Sequence, residues 1–341
     1  MKLSVSFFGS GQEPASPQRR YQNVLGLAEH ADELGLHTLW VPERHFQDFG
    51  DLFPNPAVLA GALVSRTQRI RIHAGSIVLP LHDLIRVLED WSILDTLSGG
   101  RIGVSVGTGW HPLDFVIRPS AFAERRNITT IGLGLLRSGW REGRIRASDP
   151  QGEQREVRIR PDRIQPELPL WLTTSGRRAT WLSAGELGVS VLASTIGQTP
   201  ESLAANIAAY RAAHHRHHPD GTPWVTLSVH TYLSDDRNEV RAKVETPMKT
   251  YLDSFVTQSA SSERSGPADL SGSERAALLD FAFERYWSSL SMLGTPETCT
   301  ATIKELDALG CDEVACLVDF GPSLPEMSRT LTLLTQTTRE R

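Results

Sequence analysis

The residues best suited to chemistry in this chain are Glu43, Arg44 and His45, which follow directly on the apolar run Leu39-Trp40-Val41-Pro42. Ionisable side chains at the end of a buried strand lose hydration, a cost usually met where they pair or react. A carboxylate two residues from an imidazole can do acid–base work near neutral pH, and a guanidinium between them tunes the local charge. Three later segments end in a comparable way. Residues 70–79 break at Ala74-Gly75-Ser76, where a flat ligand can approach bare backbone. Residues 101–106 run into Gly107-Thr108-Gly109-Trp110-His111-Pro112, which offers an aromatic wall and a second titratable ring. Residues 169–173 run into Thr174-Ser175-Gly176-Arg177 at the start of a helix. Free N–H groups, hydroxyls and a guanidinium there would cradle a phosphate, although Ser and Gly also simply cap helices. Ser194 closes the strand that follows. Such a set fits a planar, phosphorylated cofactor.

These residues share a site only if their strands end at one mouth. Apolar periodicity predicts strands at 2–8, 37–41, 70–79, 101–106, 169–173, 188–193, 224–233 and 312–318. Helices are predicted at 17–35, 55–66, 83–97, 120–140, 177–186, 200–216, 237–256, 296–309 and 322–336. Such alternation implies parallel strands with right-handed crossovers, and eight units favour a closed (β/α)8 TIM-like barrel. No GxGxxG follows the first strand, which counts against a dinucleotide-binding open sheet. The whole of 1–341 reads as a single domain with two insertions. One, at 142–168, is Arg- and Glu-rich and reads as a solvated hairpin. The other, at 257–295, begins with a polar stretch (257–275) that reads either as a lid or as a plain surface loop. His214, His215, His217 and His218 read as the exposed end of a helix rather than as metal ligands, and no metal is expected.

Composition narrows the function classes. The chain is 40% hydrophobic and 22% charged with a net charge of -5, which argues against a general nucleic-acid or anionic-membrane binder. No apolar run reaches the roughly 18 residues of a membrane span, and the run at residues 2–8 reads as too short for a signal-peptide core. Cys299, Cys311 and Cys316 form no CxxC and read as buried free thiols. The expected location is the cytoplasm.

The motifs together resemble the bacterial luciferase-like, flavin-dependent monooxygenases. More narrowly, they resemble the mupirocin-type branch associated with polyketide and nonribosomal peptide biosynthesis. The resemblance rests on Val41-Pro42-Glu43-Arg44-His45-Phe46, Pro54-Asn55-Pro56-Ala57-Val58, Ala74-Gly75-Ser76-Ile77-Val78-Leu79-Pro80-Leu81-His82, Leu97-Ser98-Gly99-Gly100-Arg101, Gly109-Trp110-His111-Pro112 and Gln165-Pro166-Glu167-Leu168-Pro169. It covers roughly 1–255 and resumes over the last helix–strand–helix. It implies reduced FMN (FMNH2) at a barrel mouth, delivered by a separate flavin reductase, with O2 as co-substrate. The flavin ring would lie at Ala74, Gly75 and Ser76, often beside a non-proline cis peptide in such proteins, with Gly107 and Trp110 flanking it. The phosphate would sit at Thr174, Ser175, Gly176 and Arg177.

On this reading His45 gives or takes a proton near the reacting oxygen, and Glu43 or Arg44 sets its pKa. His111 is the second candidate. The implied substrate is an amino-acid, peptide or polyketide intermediate, hydroxylated or N-oxidised, free or tethered to a carrier protein. The arginine-rich hairpin is a candidate dock for an acidic carrier. The implied assembly is a homodimer. The chain departs from luciferases proper, which carry two consecutive histidines after the glutamate: here the first is Arg44. Gly107-Thr108 likewise replaces the Ala-Ser of closer relatives. Two rivals share the fold: an F420-dependent hydride-transfer enzyme and a non-catalytic flavin-binding relative.

Overall fold

The structure, a computed structural model, describes residues 1–9, 16–47, 50–262 and 271–339. Its strands in chain order are β1 (Lys2–Ser6), β2 (Thr38–Val41), β3 (Arg71–Val78), β4 (Ile102–Gly107), β5 (Arg144–Ser148), β6 (Gln154–Arg158), β7 (Leu170–Thr174), β8 (Ser190–Ser194), β9 (Val225–Leu233), β10 (Met292–Gly294) and β11 (Glu313–Leu317). The helices are α1 (Pro17–Leu34), α2 (Pro56–Arg66), α3 (Leu84–Ser98), α4 (Arg125–Glu142), α5 (Arg178–Leu187), α6 (Pro200–His217), α7 (Arg237–Ser262), α8 (Gly272–Ser288), α9 (Pro296–Ala308) and α10 (Leu324–Arg339).

The main sheet runs β10-β9-β11-β1-β2-β3-β4-β7-β8, and β8 pairs back onto β9. Eight parallel strands therefore close into the expected barrel, and short β10 extends the far end of β9. The predicted break at residues 74–76 is a β-bulge within continuous pairing to β4. The Gly75–Ser76 peptide bond there is cis.

Local chemistry fixes the ends of the units. Ser16, Asn55 and Asp83 cap α1, α2 and α3 by accepting backbone N–H groups, and Gly35 and Gly99 end α1 and α3 in the left-handed region. Buried Asp32 accepts N–H bonds from Gln68, Arg69 and Ile70, which pins the turn into β3. Asp95 does the same for Ile164 and Gln165 ahead of β7. Inside the barrel Trp40, Trp171, Leu192 and Ala315 form a plug. An eight-stranded barrel is just wide enough for side chains to fill it or for one small ligand at its mouth.

Both insertions differ from their sequence reading. The hairpin β5–β6 forms as predicted, but it joins a helix to the next strand, so it lies at the N-terminal end of the barrel, away from the mouth. The segment that follows it bonds to Asp95 and Thr96 at the end of α3. Four of its arginines are also paired: Arg144 with Glu156, Arg155 with Asp149, and Arg158 and Arg160 with Asp162. A carrier docked there would face the end of the barrel away from the mouth and meet partly neutralised charge, which counts against the hairpin as a dock.

The lid reading of 257–275 falls in part on 263–270, outside the described residues. On either side the chain is helical. A capping box between Ser271 and Glu274 starts α8, and α7 and α8 share an apolar cluster containing Val244, Met248, Tyr251, Phe283, Tyr286 and Phe320. In the histidine cluster His215 and His217 are exposed at the end of α6 as expected, but His214 is 3% exposed and packed near Tyr210 and His218. The three cysteines are free and buried, as expected. No helix among the described residues is long and apolar enough to cross a membrane.

Candidate active site

Parallel strands aim their C-terminal ends at one mouth, and the strand ends here show where that mouth is open. Gly75, Ser76, Thr173, Ser194 and Ser228 are half-buried, while most of their strand neighbours are buried. They belong to β3, β7, β8 and β9 and surround the space above the tryptophan plug.

On the β2–β3 side, Glu43 leaves β2 and is 6% exposed. One carboxylate oxygen meets His45 Nε2 at 2.8 Å, and both oxygens lie 2.9 Å from His82 Nε2. The second oxygen also accepts the Val78 N–H at 2.7 Å. Burial pushes this carboxyl up, but the bonds from His45 and His82, the His82 charge and the Val78 N–H outweigh it and bring its pKa down to about 2. For His82 burial acts downward, and the bond and charge of Glu43 leave its pKa raised. A carboxylate only accepts, so His45 Nε2 carries the proton in this bond and Nδ1 is left for other work. Val78 closes β3 just past the cis peptide, so Glu43 ties the acid–base cluster to the bulge.

Asp114 joins the same field. Burial raises its pKa, opposed by the charges of His111, His45 and Arg44, while Glu43 raises it further. His111 caps its own loop by accepting the Leu113 N–H, and its ring meets Trp110 edge-on at 5.5 Å. Arg44 sets its guanidinium over the Phe8 ring at 4.2 Å, and burial lowers its pKa against the opposing charges of Tyr251 and Asp114. The structure therefore brings Glu43, Arg44, His45 and His111 into one electrostatic field with His82 and Asp114, which the residue reading gave no role. His82 follows a short 3-10 turn over Leu79–Leu81, and Asp114 lies inside another over Pro112–Val116. The repeated pattern of a His or Asp just beyond Pro at a strand end was the available signal.

The floor fits a flat ring. A Cβ on Gly75 would lie 3.0 Å from Trp40 Cε3, and one on Gly107 would lie 3.0 Å from Ser76 Oγ. Bare backbone at both positions keeps this wall thin, beside buried Ala74.

Across β7 and β8 the residues fit a phosphate. The α5 N-terminus has Arg177 at its cap position with no side-chain cap, so its first N–H groups stay available, and Ser175, Gly176 and Arg177 are exposed. Thr174 differs from expectation: it is buried and donates its hydroxyl to the Ser175 carbonyl. Gln198 and Asn206, missed in the sequence, back this turn. Gln198 donates to the Ser194 carbonyl at 2.6 Å, and Asn206 donates to the Gly176 carbonyl at 3.3 Å. Among the described residues no cluster of His, Cys, Asp or Glu could hold a metal ion.

A closed parallel barrel with a bulged, glycine-lined wall beside an acid–base cluster at its mouth is the build of a TIM-barrel enzyme that holds a flat cofactor. The chain belongs to the luciferase-like monooxygenase family, whose model matches residues 1–313. It is 25% identical over 328 residues to the alkanal monooxygenase alpha chain of Photorhabdus laumondii, covering 92% of this chain and 89% of that protein. It is 20% identical over 317 residues to the oxygenase component of a flavin-dependent trigonelline monooxygenase of Acinetobacter baylyi, covering 91% and 87%. The crystal structure of a monooxygenase from Streptomyces bottropensis superposes with a TM-score of 0.80 at 23% identity, over 100% of this chain and 99% of that one.

Proposed function

We propose that the chain is the oxygenase of a two-component system. It takes reduced FMN from a separate flavin reductase, uses O2, and hydroxylates or N-oxidises an intermediate of secondary metabolism. The observation that carries this reading is the Glu43–His45–His82 cluster tied through Val78 to the Gly75–Ser76 bulge: an acid–base group held against the wall suited to a flavin ring. The oxygenase-component name of the Acinetobacter relative supports the two-component form. The motifs around Glu43-Arg44-His45 and Gly109-Trp110-His111-Pro112 support the branch found with polyketide and peptide pathways.

Ser175, Gly176, Arg177 and the α5 N-terminus would hold the FMN phosphate, and Gly75, Ser76, Gly107 and Trp110 would flank the ring, with Ala74 and Ser194 behind. Reduced flavin supplies the two electrons that activate O2. The chain's own residues do the rest. Glu43 stays ionised and orients His45, whose free Nδ1 can hold a proton at the reacting oxygen. The buried wall of β2, β3 and β4 excludes water, which limits loss of activated oxygen as peroxide.

The whole of 1–341 acts as one unit on this reading, and two copies pair. Exposed Val58 on α2, Ile93 and Leu97 on α3, and Ile131 and Leu135 on α4 form an apolar outer surface that supports pairing. The substrate is free or carrier-tethered; a carrier, if used, docks at the mouth end.

Titration with reduced FMN and with reduced F420 under anaerobic conditions tests the cofactor. Tight binding of FMNH2 with weak F420 binding is expected. A preference for F420 would turn the reading into hydride transfer.

A further inference from the structure

The acid–base cluster occupies only one half of the mouth. Around the closed barrel, β9 stands four strands from β3 in either direction, so it faces the Gly75–Ser76 bulge across the opening. Alternate residues of β9 share one face. Thr226 donates to Glu313 in the barrel interior, so Ser228 and His230 also point inward. Ser228 is half-buried, while His230, one step nearer the rim, is 2% exposed.

His230 is built into a neutral, aromatic setting. Its Nδ1 lies 3.1 Å from the Tyr286 hydroxyl, which also accepts the His230 N–H and stands 3.2 Å from Thr195 Oγ1. The rings of Tyr251, Phe320 and Tyr286 surround it edge-to-face at 4.4, 5.1 and 5.5 Å. Burial pushes its pKa down to about 3, so the ring is uncharged at neutral pH. Nε2 is buried and meets no hydrogen-bond partner among the described residues. Buried polar atoms are nearly always paired, and a lone one in a native site points to a missing partner. Phe8 and Ile196, packed against the aromatic cluster around it, and Ser194 on β8 are half-buried, so the approach from the mouth is not sealed.

Resting on the monooxygenase reading of this mouth, we propose that His230 Nε2 hydrogen-bonds the carbonyl or hydroxyl oxygen of an uncharged, ring-bearing substrate. Half-buried Phe8 and Ile196, packed against the same aromatic cluster, take the flat apolar body, and the bound substrate lies between His230 and the Gly75–Ser76 wall. A neutral imidazole in an aromatic cage suits a neutral polar atom; Arg44 acts on Tyr251 but not on His230, so a carboxylate held at Nε2 would lose its hydration without a counter-charge at that atom.

Two isosteric variants separate this role from a structural one. His230→Gln keeps a polar amide near the position of Nε2, whereas His230→Asn keeps one near Nδ1 and so preserves the Tyr286 bond. The probes are 1-tetralone (a neutral ring ketone), naphthalene and 1-naphthoate, titrated into the full-length protein by calorimetry. The wild type should bind 1-tetralone at least about tenfold more tightly than either other probe. A good hydrogen bond to a buried partner carries that factor. His230→Asn should lose that preference, and His230→Gln should keep it within about threefold. The reverse order, equal binding in all three proteins, or no preference for the ketone in the wild type would overturn the proposal. Reduced FMN titrated in parallel should bind all three proteins alike. Its failure to bind the wild type would sink the flavin reading instead, and the ketone comparison would still decide the role of His230.

Discussion

Two buried carboxylates sit at opposite ends of this barrel, and they differ in what they hold. Glu43 lies at the mouth and Glu313 at the start of β11, and both have pKa values brought down to about 2. In each case burial opposes ionisation and hydrogen bonds outweigh it. The donors to Glu313 are mostly groups that keep their protons: Trp40 Nε1, Trp224 Nε1, Ser4 Oγ and Thr226 Oγ1, with His37 more distant at 3.8 Å. The side-chain donors to Glu43 are the imidazoles of His45 and His82. The same buried charge is thus mainly a structural clamp where all but one of its partners are indole or hydroxyl donors, and part of an acid–base device where its side-chain partners are imidazoles. Burial and pKa alone would not separate the two; the partners do.

The comparison breaks most sharply under matched substitutions. Glu43→Gln should lower kcat/KM by roughly 100-fold or more, the range of general acid–base catalysis, because His45 loses its orienting carboxylate. Glu313→Gln should leave kcat/KM of the folded protein nearly unchanged but destabilise the fold by about 3 kcal/mol, since several buried donors lose a charged acceptor. Steady-state kinetics and denaturant unfolding on both variants check this. If Glu313→Gln cut turnover as deeply as Glu43→Gln, the two ends would not differ in kind. His45→Ala should lower product formation by about 10²-fold or more while sparing flavin binding, read from product yield beside an FMN titration. An unchanged yield would remove His45 from the chemistry.

Much of the mouth was legible because strand ends announce themselves. Glu43-Arg44-His45, the Gly75–Ser76 bulge, Gly107 and the 175–177 turn each interrupt an apolar run with residues that a core does not want. What stayed hidden depends on distance in the sequence. His82 reaches Glu43 across 39 positions and Asp114 sits in a separate loop, so neither spacing betrays a shared field. His230 reads as an ordinary strand residue, since only barrel closure sets it opposite β3. The start of α8 carried a capping box, Ser271 to Glu274, but the polar run before it masked the helix. The hairpin was read correctly as local structure, but the barrel end it occupies and the charges that pair with its arginines depend on the fold rather than on local spacing.

Smaller effects sharpen the contrast further. Gly75→Ala would push a methyl against Trp40 and narrow the flavin-sized wall, so reduced-FMN affinity should fall about tenfold, measured by titration. The Glu43–His82 pair should also mark the stability curve. Glu43 has a lowered pKa, so its contribution is present above its ordinary 4.5 and is lost as pH falls toward about 2. His82 has a raised pKa, so its contribution is complete below its ordinary 6.5 and is lost as pH rises through its raised value. The Tm gap between wild type and His82→Gln should therefore be largest near about pH 5.5 and shrink toward about pH 9. A gap that grew with pH would contradict the assigned charges. Reversing Arg144, Arg158 and Arg160 on the hairpin should change turnover least of all, even with a carrier-tethered substrate.

The central claim is that the Glu43 cluster makes this mouth a place where reduced flavin meets O2 under control. The most direct test mixes the wild type and Glu43→Gln with reduced FMN anaerobically, admits O2, and follows the return of oxidised flavin absorbance. The account predicts a return slower in wild type than in free solution, and close to the free-solution rate in Glu43→Gln. Equal rates in wild type, variant and free solution would contradict it.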